Sequence, residues 1–216
     1  APTGSVRSSV IWMHGLGADA HDFEPIVPEL RLPESLGARF VFPNAPVRPV
    51  TINNGMRMRA WYDVLSLDLP RQEDPEGVYA SERAIYALLE REKQRGVSAD
   101  RIVLAGFSQG GAMALHTGLR YPERLAGILA LSCYLPLASR LHSERRPANQ
   151  ATPIFMAHGD YDAVIPMRYG QQSAEALEGL GYLVEWSDYG MGHEVCFQEI
   201  RDIAAWLQRV LAAPTV

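Results

Sequence analysis

Residues 101–121 restrict the fold more than any other segment. Arg101-Ile102-Val103-Leu104-Ala105 reads as a short buried strand, Gly106-Phe107-Ser108-Gln109-Gly110 as a turn, and residues 112–121 as a helix that stops before Pro122. A strand that feeds a helix through so short a turn is the start of a βαβ unit, and the rest of the chain continues the alternation. Apolar runs recur at Val10-Ile11-Trp12-Met13, Phe40-Val41-Phe42, Ile128-Leu129-Ala130-Leu131, Ile154-Phe155-Met156 and Leu183-Val184-Glu185-Trp186, with helical patterns after the last two. The expected fold class is therefore α/β, a mostly parallel central sheet with helices on both faces.

Two helices can be drawn in more detail. Asp74 and Pro75 suit an N-cap and a first helical position, Val78, Ile85, Leu88 and Leu89 share one face, and Gly96 ends the pattern. In the last helix Cys196, Ile200, Ile203, Leu207 and Val210 form an apolar stripe at steps of three and four, suited to packing on the sheet. Residues 43–75 and 136–153 carry few regular signals and are expected as irregular loops over or beside the site, with Arg145 and Arg146 on a solvated face.

A chain of 216 residues fits one domain, spanning 1–216, built around a single core. Hydrophobic residues at 47% and charged ones at 21% are ordinary for a globular protein. The net charge of −5 argues against nucleic acid as a partner, since phosphate backbones are bound mainly through Lys and Arg. No apolar run reaches the ~20 residues of a membrane span, so the chain is not expected to be an integral membrane protein. APTGSVRSSV lacks a signal-peptide pattern, which leads to the expectation of a cytoplasmic chain or one whose leader has been removed. Cys133 and Cys196 are far apart, show no CxxC spacing, and read as buried free thiols.

The turn at 106–110 matches G-x-S-x-G, the nucleophile elbow, in which a strained strand-to-helix turn lifts a serine hydroxyl above the sheet. Its glycines let strand and helix backbones approach closely. A serine needs a base, and where the order is serine, acid, histidine, His142, His158 and His193 are the candidates. His158 closes a strand and suits a loop-supporting role, and His142 lies in a charged stretch. His193, in the loop Gly190-Met191-Gly192-His193-Glu194 before the final helix, is the chosen base. Asp160 and Asp162 compete for the acid. Asp162 is preferred because it precedes Ala163-Val164-Ile165-Pro166 at the entry to the next helix, whereas Asp160 suits local turn bonds. The backbone N–H groups of Gln109, which follows the serine, and of Leu16, in His14-Gly15-Leu16-Gly17, are the expected oxyanion donors. His193-Glu194 does not begin an HExxH pattern, so no metal is expected.

These motifs, together with Phe42-Pro43-Asn44-Ala45-Pro46 and Trp61-Tyr62-Asp63, resemble the carboxylesterase and acyl-protein thioesterase family over about residues 11–211, and most closely its small bacterial carboxylesterases. The resemblance implies an α/β-hydrolase fold, Ser108, Asp162 and His193 as triad, and Leu16 and Gln109 as oxyanion hole. It implies no cofactor. It also implies that the loop from Trp61 to Leu65 borders the acyl site, so Trp61 and Leu65 are the expected substrate-binding residues. The expected activity is hydrolysis of short- to medium-chain carboxylic esters through an acyl-enzyme, with acylated proteins or lysophospholipids as alternative substrates and a homodimer as a compatible assembly. A catalytically silent binding protein is the reading from another class, and all three triad residues stand against it. Met58-Arg59-Ala60 and Cys133-Tyr134-Leu135-Pro136 depart from the bacterial pattern and bear on substrate preference.

Overall fold

The computed structural model describes residues 5–66 and 72–212. In chain order the strands are β1 (Ser8–Met13), β2 (Ala38–Val41), β3 (Val47–Val50), β4 (Met56–Arg59), β5 (Ile102–Phe107), β6 (Gly127–Leu131), β7 (Ile154–Gly159) and β8 (Val184–Tyr189). The helices are α1 (Ile26–Glu29), α2 (Pro75–Gln94), α3 (Gln109–Arg120), α4 (Ala138–Glu144), α5 (Met167–Gly179) and α6 (Phe197–Leu211). Six strands form one sheet in the order β2-β1-β5-β6-β7-β8, each pairing parallel. None of the described helices is long and apolar enough to cross a membrane.

The central strands alternate faces although every position in them is apolar or small. Ile11, Met13, Ile102 and Leu104 pack with α2, α3 and α5 on one side, through Val78, Ile85, Leu89, Leu115 and Leu177. Val10, Trp12, Val103 and Ala105 pack with α1 and α6 on the other, through Ile26, Ile203 and Leu207. That is the two-faced burial that makes parallel strands read as continuous apolar runs. The α2 start follows its sequence, with the Asp74 side chain accepting from Gly77 N–H at 3.0 Å and Pro75 in the first turn. Every residue of α3 is buried, which places this helix between the sheet and α2.

Several expectations need correction. Residues 43–75 are not wholly irregular: β3 and β4 pair antiparallel as a hairpin whose turn uses Asn54 (φ 53°) and Gly55 (φ 75°). Residues 136–153 hold α4 and a short 3₁₀ turn, Pro147–Asn149. Arg145 is tied rather than solvated, donating to Leu180 O (2.8 Å) and Gln150 Oε1 (3.2 Å), with its guanidinium over the Tyr182 ring. The expected turn after β5 is also shorter than five residues. Gly106 and Phe107 still pair with Ala130 and Leu131 of β6, and α3 begins at Gln109, so Ser108 alone makes the turn. Of the two thiols, Cys133 is buried and Cys196 is half-buried; both are free.

Candidate active site

The site lies beyond the C-terminal ends of the strands, where loops after β1, β5, β7 and β8 converge, the usual location for ligands on open parallel sheets. Ser108 sits at φ 54°, ψ −121°, a region non-glycine residues rarely occupy. Holding it there is worth about 1–3 kcal/mol of strain, sustained by the surrounding packing. The glycines of the motif explain how. A Cβ on Gly106 would stand 2.2 Å from the backbone of Gly110, and one on Gly110 would stand 2.2 Å from Met13 O. Strand, helix and the neighbouring β1 are thus in backbone contact around Ser108.

His193 and Asp162 reach the serine from the loops after β8 and β7. His193 Nδ1–H donates to Asp162 Oδ2 at 2.6 Å, which leaves Nε2 to accept from Ser108 Oγ–H at 3.0 Å. The other oxygen of Asp162 accepts from the N–H groups of Val164 (2.9 Å) and Ile165 (2.8 Å), an Asx-type turn that fixes the carboxylate. Burial opposes the charge on Asp162, but hydrogen bonds from His158, His193 and the Ile165 N–H outweigh it and hold its pKa well below the usual carboxylate range. His158, read from sequence as a loop support, has Nε2 2.7 Å from Ile165 O and 3.4 Å from Asp162 Oδ2. Its Nε2–H lies between the two acceptors, nearer the carbonyl, so His158 holds the loop that carries Asp162 and faces the carboxylate as well. Asp160 is exposed and its N–H donates to Tyr189 O at 2.9 Å.

A cavity of about 260 Å³ opens beside Ser108, lined by Gly15, Leu16, Gln109 and His193 at its chemical end and by Ile52, Tyr62, Val64, Tyr134 and Ile165 on its walls. That lining is largely apolar, with the Tyr62 and Tyr134 hydroxyls 2.9 Å apart. A volume slightly under the ~300–1,000 Å³ of small-molecule pockets suits a slim ligand. Leu16 and Gln109 thus line the cavity beside Ser108, whereas Trp61 and Leu65 do not line it. Trp61 is buried beneath it (2% exposed) because its indole Nε1–H donates to His14 O and its backbone N–H to Gln109 Oε1. Leu65 borders a separate groove with Glu73, Asp74 and Arg140. The wall residues missed from sequence stand beside those named: Tyr62 follows Trp61, Val64 precedes Leu65, and Tyr134 lies in the stretch flagged as a departure.

The family model described as Phospholipase/Carboxylesterase matches residues 1–211. The chain belongs to this family. It is a hydrolase of the α/β-hydrolase superfamily, similar to acyl-protein thioesterase 1 of Gibberella zeae, at 40% identity over 94% of this chain and 91% of that one. Acyl-protein thioesterase 1 of Neurospora crassa is 41% identical over 93% of this chain and 85% of the relative. Among solved structures, SOBER1 of Arabidopsis thaliana superposes with a TM-score of 0.90 at 32% identity, covering 95% of this chain and 100% of that one. Acyl-protein thioesterase 2 of Zea mays gives 0.86 at 29%, covering 98% and 97%.

Proposed function

We propose that this chain hydrolyses acyl thioesters, with carboxylic esters of the same acyl groups as additional substrates, and that Ser108, His193 and Asp162 are its catalytic triad. The observation that carries the proposal is the hydrogen-bonded line from Asp162 through His193 to Ser108, ending at an apolar cavity. The relatives named acyl-protein thioesterase support the thioester preference and the acylated cysteine of a protein as the natural substrate. Short- to medium-chain carboxylic esters remain the second reading, favoured by the small volume of the cavity.

In this mechanism the acyl chain lies along Ile52, Val64 and Ile165 while its carbonyl carbon meets Ser108 Oγ. His193 Nε2 takes the hydroxyl proton as the Oγ–C bond forms, and Asp162 stabilises the resulting imidazolium. The carbonyl oxygen becomes an oxyanion facing the N–H groups of Leu16 and Gln109; the latter opens α3, where N–H groups have no partner within the helix. Collapse breaks the C–S bond, and His193 returns its proton to the departing sulfur. Water then attacks the acyl-Ser108 ester with His193 again as base, releasing the acid. A thiolate leaves readily because the parent thiol has a pKa of about 8.5, so the thioester demands less of the acid than an oxygen ester does.

The test is a matched panel of thioesters and oxygen esters, with Ser108→Ala as control. The variant should stay folded and lose about 10³-fold or more in kcat. A folded Ser108→Ala enzyme with over about a tenth of parental activity, against the loss expected of a triad nucleophile, would remove the triad from this chain. Higher kcat/KM for every oxygen ester than for its thioester would overturn the stated preference and leave the carboxylesterase reading.

A further inference from the structure

We propose that His14 is a positioning residue for the oxyanion hole: as a neutral imidazole it turns the Gly15–Leu16 peptide so that the Leu16 N–H faces Ser108. This rests on the triad and oxyanion reading above.

The partners of His14 determine its protonation. Nδ1 lies 2.7 Å from Gly15 O, which can only accept, so Nδ1 carries the proton. Nε2 lies 3.0 Å from the N–H of Ala45, which can only donate, so Nε2 carries none. A charged imidazolium would set two N–H groups against each other at Ala45. The ring is 2% exposed, and burial pushes its pKa below the ordinary value, which keeps the neutral form.

The consequence for the oxyanion hole follows from peptide geometry. A trans peptide carries its C=O and N–H on opposite sides of one rigid plane. Gly15 O is held by His14 Nδ1–H and also accepts from Ala18 N–H at 3.3 Å. With that oxygen fastened toward the imidazole, the N–H of Leu16 is turned away from the imidazole, and Gly15 and Leu16 both line the cavity. A Cβ on Gly15 would touch Ser108 Cβ at 3.4 Å, so the peptide is within reach of the reacting carbonyl.

The backbone of His14 is braced in turn. Its carbonyl accepts from Trp61 Nε1–H at 2.9 Å. The Gln109 side chain accepts from Trp61 N–H at 2.7 Å and donates to Tyr62 O at 2.8 Å. The Trp61-Tyr62 segment therefore ties the His14 loop to Gln109, fastened to the His14 carbonyl on one side and to the Gln109 side chain on the other. This gives Trp61 a role beneath the site in place of the substrate contact expected from sequence.

The experiment compares His14→Asn, His14→Gln and His14→Leu in the full chain. Asparagine places an amide N–H near the Nδ1 position and keeps the bond to Gly15 O. Glutamine reaches the Ala45 N–H instead, and leucine keeps neither. Expected is a fall in kcat of about 10²–10³-fold for the leucine and glutamine variants, the usual effect of losing one oxyanion donor, with KM within about threefold and most of kcat retained by asparagine. The Kd of a trifluoromethyl ketone, which forms a tetrahedral oxyanion on the serine, should weaken in step with kcat. Equal kcat in the asparagine and glutamine variants overturns the proposal, as does a loss of kcat without loss of ketone affinity. If His14→Leu does not fold, the asparagine and glutamine pair still decides. A fluorophosphonate that fails to label Ser108 in the parent would indict the triad reading itself, independently of His14.

Discussion

The two sides of the Ser108 cavity are built by different means. On one side the elbow between β5 and α3 is pressed into backbone contact with β1, and every α3 residue is buried. On the other the β3–β4 hairpin stands largely at the surface, with Val47 49% and Met56 64% exposed, and is joined to the body by the buried Val50 and by polar contacts. Thr51 N–H donates to Asp63 Oδ1 at 2.8 Å, Ile52 N–H to Val64 O at 3.1 Å, and Gly17 N–H to Arg59 O at 2.8 Å. The elbow side is held by contacts that admit no substituent, while the hairpin side, the proposed acyl side, is held by contacts that tolerate exchange. Substitutions should therefore abolish function on the first side and retune it on the second.

The largest effect expected on the rigid side is loss of the acid. Asp162→Asn removes the charge that orients His193 and stabilises its imidazolium, and kcat should fall on the order of 10⁴-fold, as for the equivalent change in a well-studied protease. Asp160→Asn, at an exposed position without contact to His193, should stay within about threefold of the parent in the same assay, as surface changes away from special features do. Reversal of that ranking in steady-state kinetics would exchange the two assignments. A smaller effect, on stability, is expected from Gly110→Ala. Its Cβ would meet the Met13 carbonyl at 2.2 Å, backbone that cannot swing aside, so destabilisation should reach about 3 kcal/mol or more in urea titration. A Gly110→Ala chain as stable as the parent would break the contrast between the two sides.

The same contrast explains what could be read from the sequence. The parallel sheet, the Asp74 cap and the elbow were legible because each depends on local patterns: apolar runs, capping residues and glycines at fixed spacing. Ser108, Asp162 and His193, the proposed triad, were legible in order, since each follows a strand end, and the structure brings the three side chains together. Trp61 and Leu65 were misplaced because an aromatic near a site carries no sign of which way it faces. Trp61 turns inward to satisfy its indole N–H on His14 O, and its neighbour Tyr62 turns to the cavity. The hairpin was missed because Pro49 interrupts Val47–Val50, and Arg48, Arg57 and Arg59 leave both four-residue strands without an apolar run. Its one clear signal was Asn53-Asn54-Gly55, a composition that favours positive φ in tight turns. His158 was legible as a loop support because it closes a strand, but its partner, a carbonyl seven residues on, was not.

The smallest effect belongs to the hairpin side and concerns acyl length. Each CH₂ moved from water into an apolar cavity is worth about 0.8 kcal/mol, roughly a fourfold gain in kcat/KM. The gain should continue only while the added carbons have wall to touch. With about 260 Å³ beside Ser108, kcat/KM should climb over the shorter acyl groups and then level off. Ile52, on the segment between β3 and β4, forms part of that wall and donates its N–H to Val64 O, another wall residue. Ile52→Ala should therefore move the plateau to longer chains while changing kcat/KM for the shortest ester by less than about tenfold, as expected from removing a few methylenes of contact. Rates for a ladder of soluble acyl thioesters, each kept below its aggregation limit, measure both quantities. A parental climb that persists beyond about ten carbons at the same increment per CH₂ would mean that the hairpin side encloses far more chain than this cavity holds. An unmoved plateau in Ile52→Ala would mean that acyl length is set on the rigid side, against the division of labour drawn between the two walls.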